Sequence, residues 1–245
     1  FKKKLKCCYH IYRFITIIIF MRVLVLDTET TGLPQKVSFD LFYPPCDLEK
    51  YSEARVFQIA WIIAENGTET ECHNYFVKPT DGLVKHPNMS IHNNSIERCH
   101  SEGVDLAVII NKLKNAIESV DLVVGHNLAF DIHVLQSECV RQKYVFIDLL
   151  NTLFTKSFCT MYHSKYQLRI MSGKYIKHPS LGELHNYCFG SDIFGAHDAL
   201  VDCRATLACY LKIKDHPAST DKAELGLLRN ITNRQRKSSR ATPIR

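Results

Sequence analysis

Hydrophobic positions in the first third of the chain predict an antiparallel sheet. A short apolar run over residues 23–26 and a longer one over 56–64 have the length and β-branched content of buried strands. Residues 69–77 can pair with the second run across Glu65-Asn66-Gly67, because Asn-Gly readily adopts the positive φ angles of a tight hairpin turn. The pattern therefore predicts three antiparallel strands.

Helical periodicity appears next and then alternates with short apolar runs. Residues 106–120 carry six large aliphatic side chains at helical spacing. We expect the following elements after it: a fourth strand over 122–124, a helix from about Leu128, a fifth strand over 158–161, a helix over 181–188 and a final helix over Ala199–Ile213. This order predicts an α/β domain built on one mixed sheet.

Both ends of the chain are basic and differ from the middle. Residues 1–20 hold five Lys or Arg and residues 229–245 hold six, with no acid in either segment. Residues 21–228 therefore carry a net charge of −5, although the whole chain carries +6, so a basic nucleic-acid-binding core is not indicated. We predict a non-native or disordered extension over 1–20, a folded domain over 21–216 and a basic, largely disordered tail over 217–245.

The apolar residues 14–20 raise the question of a signal or membrane anchor. Continued through residues 21–26, the apolar run is interrupted by Arg22 and falls short of the ~20 residues that a spanning helix needs. Met21 stands directly before the first strand, which favours translated upstream sequence instead. The ten cysteines are scattered and form no Cys-x-x-Cys pair, so we interpret them as reduced thiols. We expect an intracellular protein, in cytoplasm or nucleus, with no stable membrane partner; a membrane tether through residues 14–20 is the less favoured alternative.

The first chemical signal is the run Asp27-Thr28-Glu29-Thr30-Thr31-Gly32-Leu33 after the first strand. Asp27 and Glu29 stand at positions i and i+2, so a strand points both carboxylates to the same side. Two neighbouring anions are suited to share a divalent cation through their oxygens. An ordinary turn after a strand is the alternative, and this run alone does not exclude it.

Further polar positions occur where loops become helices. Asp131 lies on an apolar helix face, where an unpaired charge would be costly, so a hydrogen-bonded structural role competes with metal binding. Asp202 shares a stripe of small side chains that would let the last helix approach the sheet closely. His197 precedes that helix, and histidine has an ordinary pKa suited to proton abstraction. Asp198 is expected to be the helix N-cap.

Five residues occur in the order typical of one nuclease group: Asp27, Glu29, Asp131, His197 and Asp202. In this order they closely resemble the DEDDh exonuclease superfamily, whose members include the proofreading subunit of bacterial DNA polymerase III. The resemblance extends roughly over residues 22–214, and no catalytic position departs from the pattern. It implies a ribonuclease-H-like fold, with about five strands and helices on both faces, for an exonuclease domain over 21–216.

The resemblance also implies a cofactor and a set of contacts. Two divalent cations, Mg²⁺ or Mn²⁺, would be held by Asp27, Glu29, Asp131 and Asp202, with Asp131 acting through water. His197 would take the proton from the attacking water, while the two ions stabilise the attacking and leaving oxygens of an in-line displacement. The residues expected to contact the terminal nucleotide are Thr30, Leu33, His92 and Phe130; for Leu33, His92 and Phe130, packing or a solvent-exposed position is the alternative.

We therefore predict a 3′→5′ exonuclease that releases nucleoside monophosphates from single-stranded or frayed DNA in proofreading or repair. A superfamily exoribonuclease and a non-catalytic, polymerase-associated binding module are the alternatives. The expected partners are nucleic acid 3′ ends, with single-stranded DNA favoured over RNA, and a polymerase or repair complex.

A basic, aromatic segment before the last helix has two equal interpretations. It is either a patch that follows the nucleic-acid backbone or a solvated loop, and it contains Lys165, Tyr166, Arg169, Lys174, Tyr175 and Lys177.

Overall fold

The computed structural model of the chain describes residues 21–38, 41–79, 95–143 and 156–215. The predicted extension over 1–20, the predicted tail over 217–245 and His92 lie outside these residues. The elements within them follow in this order: β1 (Arg22–Thr30), β2 (Lys36–Ser38), β3 (Leu41–Phe42), a 3-10 helix (Leu48–Tyr51), β4 (Val56–Glu65), β5 (Thr68–Phe76), α1 (Ser95–Ser101), α2 (Leu106–Glu118), β6 (Leu122–Gly125), α3 (Leu128–Arg141), β7 (Ser157–Cys159), α4 (Thr160–Leu168), β8 (Met171–Ser172), β9 (Tyr175–Ile176), α5 (Leu181–Phe189) and α6 (Ala199–Ile213).

The central sheet has five strands in the order β5-β4-β1-β6-β7. Strands β5, β4 and β1 pair antiparallel, whereas β6 and β7 add to β1 in parallel. Asn66 and Gly67 form the tight turn between β4 and β5 with φ angles of 52° and 82°. The predicted hairpin and the predicted mixed five-stranded sheet are therefore confirmed.

Helices cover both faces of the sheet, because side chains alternate along β1 and β4. Leu24 and Leu26 of β1 point to the face covered by α2 and α3. Val23 and Val25 point to the opposite face, which α6 covers. The predicted two-faced α/β architecture is confirmed, and the two faces have separate cores.

The prediction of a strand over 158–161 was wrong in its second half. Strand β7 ends at Cys159, where pairing with Gly125 of β6 ends, and Thr160 begins α4. The Thr160 hydroxyl donates a hydrogen bond to the Gly125 carbonyl at 3.2 Å, which anchors the start of this helix beside the sheet.

The segment after β7 contains more regular structure than predicted. Helix α4 and the short β8–β9 hairpin, which turns at Gly173 with a φ of 61°, account for most of residues 160–176. None of the helices in the described ranges is long and apolar enough to cross a membrane.

Candidate active site

The carboxyl end of β1 supplies the first two carboxylates of the site. Asp27 and Glu29 continue the alternation of Val23 and Val25, so both are directed to the face covered by α6. In the antiparallel pairing with β4, Asp27 is opposite Ala60 and Glu29 is opposite Gln58. The small side chain of Ala60 leaves room on this face, and both carboxylates are half-buried.

Helix α6 supplies the third carboxylate, one turn after its start. Asp198 is the N-cap and accepts hydrogen bonds from the backbone N–H groups of Leu200 and Val201, as predicted. Cys203 packs its Sγ 3.3 Å from the Ala60 carbonyl oxygen, so the helix lies directly against the sheet. Because the side chains at this contact are small, Asp202 comes within reach of the end of β1.

His197 joins these carboxylates from the loop before α6. Donor atoms of Glu29, His197 and Asp202 all lie within 4.8 Å of one another. The backbone N–H of His197 donates to Asp202 Oδ2 at 3.3 Å, and His197 has a φ of 69°, a left-handed conformation uncommon for a residue with a side chain. Gly195, with a φ of 80°, precedes it. The loop conformation thus brings the imidazole to the carboxylates while leaving it exposed to solvent.

Asp131 reaches the same end of the sheet from α3, which packs on the opposite face. Its Oδ1 accepts two hydrogen bonds from Thr28, one from the backbone N–H at 3.0 Å and one from the hydroxyl at 2.7 Å. Thr28 points to the α3 face, as expected from its position between Asp27 and Glu29. The structure therefore gives Asp131 the hydrogen-bonded role that competed with metal binding, and it also brings its charge close to Asp27.

Burial raises the pKa values of all four carboxyl groups, and repulsion by neighbouring carboxylates of the site adds to the shifts of Asp27 and Glu29. The pKa of Asp27 is well above its ordinary range because of burial first, and then because of Asp131, Glu29 and Asp202. Burial, followed by the charges of Asp202 and Asp131, raises the pKa of Glu29 to about 8. Burial raises the pKa of Asp131 to about 7 against the lowering effect of Thr28, and burial also raises that of Asp202. Within the described residues, no cation offsets the charge of Asp27.

This donor set fits a divalent cation. The Oδ1 atom of Asp202 is buried and has no hydrogen-bond partner within the described residues, although a buried carboxylate oxygen normally has one. Carboxylate oxygens are the ligands that Mg²⁺ and Mn²⁺ prefer, and a bound cation would relieve the repulsion among the acids. The group whose atoms converge includes His197, which the sequence interpretation had assigned only as a base.

The predicted nucleotide contacts have different environments. Leu33 is 77% exposed directly after the active-site turn, as a side chain available to a ligand would be. Thr30 donates its hydroxyl to the Gly32 carbonyl at 2.7 Å and so holds that turn. Phe130 packs, partly buried, against the core on the α2 and α3 face, which agrees with the packing alternative. His92 lies outside the described residues.

Gln58 is a buried residue of the site that the sequence interpretation missed. Its side-chain amide donates to Asp198 Oδ2 and to Asn74 Oδ1, each at 3.0 Å. It therefore connects β4, next to Glu29, to the N-cap of the helix that carries Asp202. A polar residue inside the apolar run 56–64 was the only signal of this role.

A second missed contact supports the active-site turn from outside. Arg55 Nε donates to Glu138 Oε1 of α3 at 2.7 Å, and Glu138 is buried. The Arg55 carbonyl accepts from the Thr31 N–H at 2.9 Å, and the Arg55 N–H donates to the Thr31 hydroxyl at 3.0 Å. The ion pair thus links α3, which carries Asp131, to the turn that follows Glu29.

Comparisons with known proteins identify the family of the chain. The family model RNase_T, described as exonuclease, matches residues 24–210. No curated protein sequence matches the chain significantly.

Solved nuclease structures share the fold. The Mg²⁺- and Mn²⁺-bound form of S. pombe Pop2p is 16% identical over 82% of this chain and 86% of its own, with a TM-score of 0.59. Exonuclease X in complex with 5′ overhanging duplex DNA is 19% identical over 86% of this chain and 99% of its own, with a TM-score of 0.51.

E. coli exonuclease I in complex with a dA16 oligonucleotide is 20% identical over 79% of this chain, with a TM-score of 0.56. The match covers only 41% of that protein, so the chain corresponds to less than half of it. At these identities the structural matches support the ribonuclease-H-like fold. Together with the family match over most of its length, they show that the chain belongs to the exonuclease family, within the ribonuclease-H-like DEDDh superfamily.

Proposed function

We propose that the chain is a metal-dependent 3′→5′ exonuclease that releases nucleoside monophosphates from single-stranded or frayed DNA. The observation that carries the proposal is the convergence of Glu29, His197 and Asp202 donor atoms within 4.8 Å, near the half-buried carboxylate of Asp27 and the buried carboxylate of Asp131. Burial raises the pKa values of these acids. Such a cluster is suited to binding a divalent cation and to catalysing phosphoryl transfer.

Two divalent cations, Mg²⁺ or Mn²⁺, would be held by Asp27, Glu29 and Asp202, with Asp131 contributing through water. When bound, they would supply electrostatic stabilisation of the attacking and leaving oxygens. The protein holds these acids in position before any ion binds: Thr28 orients Asp131, and Gln58 fixes the N-cap one turn before Asp202. The Asp202 Oδ1 atom without a hydrogen-bond partner supports its assignment as a ligand.

His197 would accept the proton of the attacking water. As the new bond to the terminal phosphorus forms, the bond from phosphorus to the 3′ oxygen of the preceding nucleotide breaks, and that oxygen takes up a proton to become the new 3′ hydroxyl. The exposed imidazole next to Glu29 and Asp202 supports this role. Because the same imidazole is within reach of a cation, the base role requires that His197 stays unligated when substrate is bound.

The substrate proposal rests on the chemistry of a free end and on the structural neighbours. A terminal phosphodiester must enter the carboxylate cluster with its base unpaired, and the exposed Leu33 beside the turn is available to contact that base. Exonuclease I and exonuclease X were solved with DNA, which supports DNA over RNA. A polymerase or repair complex is the proposed setting.

End-labelled oligonucleotides test both activity and polarity. The full chain should shorten a 5′-labelled single-stranded DNA into a ladder with Mg²⁺, and should release labelled mononucleotide at once from a 3′-labelled strand. EDTA and the Asp27→Asn substitution should stop both reactions. Equal loss of DNA and RNA substrates would contradict the DNA preference, and loss of neither would contradict the enzyme assignment.

A further inference from the structure

A cleft of about 400 Å³ lies beside α5, away from the carboxylates. Leu168 and Ile170, at the end of α4 and before β8, form one side of it. Gly182, Glu183, Asn186, Tyr187 and Asp192, from α5 and the loop after it, complete the lining. A cleft of this volume, lined by apolar and polar side chains, is in the range of ligand sites.

Segments next to both sides of the cleft continue or hydrogen-bond to loops of the candidate active site. On one side, the loop that contains Asp192 continues to His197 five residues later. On the other, His126, in the loop between β6 and α3, is within 3.0 Å of both the Pro179 carbonyl and the Thr160 hydroxyl. Pro179 follows the β8–β9 hairpin, so the hairpin is tied to the same loop that leads to Asp131.

Three aromatic side chains on or next to the segments that form the cleft are exposed instead of packed, and of these Tyr187 lines the cleft itself. Tyr187 is 60% exposed, Tyr175 on the hairpin is 78% exposed, and Phe194, three residues before His197, is 99% exposed. Three trans peptide steps separate the Cα atoms of Phe194 and His197 by at most ~11 Å. Large apolar side chains grouped on a surface commonly mark a binding site, and an aromatic ring can stack on any nucleobase.

The hairpin side of the cleft is basic although the fold around it is acidic. Residues 165–177 contain four Lys or Arg and no Asp or Glu, whereas residues 21–228 carry a net charge of −5. Arg169 and Lys174 are exposed, and neither forms an ion pair within the described residues. Lys177, in contrast, is paired with Glu183 at 2.6 Å. The positive charges without an ion-pair partner thus belong to Lys174 in the hairpin and to Arg169 just before it.

From this arrangement, and resting on the proposed function, we infer that the cleft is a second nucleic-acid-binding surface that holds the single strand upstream of the scissile bond. The bases stack on Phe194, Tyr187 and Tyr175, and the phosphates follow Arg169 and Lys174. Asp192 repels phosphates from the α5 side of the cleft, so the sugar-phosphate backbone of the strand lies on the hairpin side. The interaction should not depend on sequence, because stacking on base faces and ion pairs with phosphates make no hydrogen bonds to the edges of the bases.

Binding measured without hydrolysis tests the inference. In the Asp27→Asn background of the full chain, fluorescence anisotropy would compare 5′-fluorescein-labelled dT3 and dT12. We expect tighter binding of dT12, and we expect Tyr187→Ala and Tyr175→Ala each to weaken dT12 binding about tenfold, as loss of one stacked base predicts. Tyr187→Phe, which keeps the aromatic ring, should bind dT12 as tightly as the Asp27→Asn parent. Replacing Arg169 and Lys174 by Ala should lower the salt dependence of log K by about 1.4, because each phosphate contact on a single strand contributes about 0.7.

A matched surface control and an activity assay separate the two proposals. Val108→Ala, which changes an exposed apolar side chain on α2, should leave dT12 binding unchanged. Unchanged dT12 binding in both tyrosine variants would overturn the inference and would favour a protein partner for the cleft. If the unmodified chain shortens dT12 while the cleft variants bind normally, only the inference fails. If it shortens no strand, the proposed function fails independently.

Discussion

The two faces of the central sheet are built from different side chains, and the difference divides stability from chemistry. The face covered by α2 and α3 is filled by large residues such as Trp61, Ile59 and Leu113. The face covered by α6 is filled mainly by smaller ones such as Ala60, Ala199 and Cys203. Large buried side chains contribute most of the transfer free energy, whereas small ones let backbones approach closely. We infer that the first face stabilises the domain and that the second sets the distance between the carboxylates.

The largest effect is expected from a carboxylate on the α6 face. Asp202→Asn removes a charge from the site without changing its shape, so the rate of DNA shortening should fall by about 10³-fold, the loss typical for removing one electrostatic contact to a transition state. The free energy of unfolding should not fall, because burial disfavours the charged form of Asp202, whose pKa is raised. Initial rates on a labelled strand and thermal unfolding would measure the two. A variant that keeps more than a tenth of the activity would contradict the ligand assignment.

A change on the opposite face should have the reverse profile. Ile109→Ala on α2 removes a fully buried side chain and should lower the free energy of unfolding by about 2–5 kcal/mol. Helix α2 carries none of the candidate site residues, so the rate per folded molecule should stay within a few-fold at low temperature. Urea unfolding and initial rates would test this. A loss of activity as large as that of Asp202→Asn would show that the two faces are not separable.

Overpacking the α6 face should affect activity more than stability. Cys203→Leu adds volume where the helix contacts the Val25 and Ala60 carbonyls, so it should cost about 1–3 kcal/mol and move Asp202 away from Glu29. Since a displacement of ~1 Å can cost about 100-fold in rate, we expect a loss of that size. The control is Leu113→Met on the other face, a volume-conserving change that should cost less than ~1.5 kcal/mol and leave the rate unchanged.

The smallest expected effect is a change of a few degrees in the melting temperature of the metal-free protein as the pH changes. This change would report the interactions within the carboxylate cluster. The pKa of Glu29 rises from its ordinary 4.5 to about 8 and that of Asp131 from 3.8 to about 7. Both groups therefore bind protons more readily in the folded state, so their protonation contributes stability that is full below the ordinary values and is lost as the pH rises through about 7 to 8.

With EDTA present, the melting temperature should accordingly fall between pH 6 and pH 9. Added Mg²⁺ should raise it most at the higher pH, where the carboxylates are ionised. Asp27→Asn should flatten the fall because it removes one of the interacting charges. A metal-free melting temperature that is constant or rises over this range would show that the cluster does not disfavour ionisation.

Local patterns predicted the long elements well and the short ones poorly. The bounds of α6 agree with the prediction, because its periodicity extends over four turns and Asp198 caps it. Strands β2, β3, β8 and β9 have two or three residues each, too few for alternation to be visible. The start of α4 was misread as strand because the apolar residues around Cys159 fit a strand, and Cys159 makes no side-chain cap that would indicate a helix.

The contacts around the site were less predictable than its acids. Gln58 and Asp198 are 140 positions apart, and Arg55 and Glu138 are 83 apart. The local sequence around any of these four residues does not indicate which residue it will contact. The same holds for Thr28, whose side chain was known to alternate with Asp27 and Glu29 but whose bond to Asp131 depends on how α3 packs.

The sequence by itself determined the order of the acidic positions and the shared direction of Asp27 and Glu29, because side-chain direction follows from the period of a strand. Only the tertiary structure decided that Asp131 arrives from the opposite face, that His197 turns toward Glu29 and Asp202, and that a separate cleft forms beside α5. The physical reason is that periodicity sets directions within one element, whereas distances between elements depend on how side chains far apart in the chain pack together.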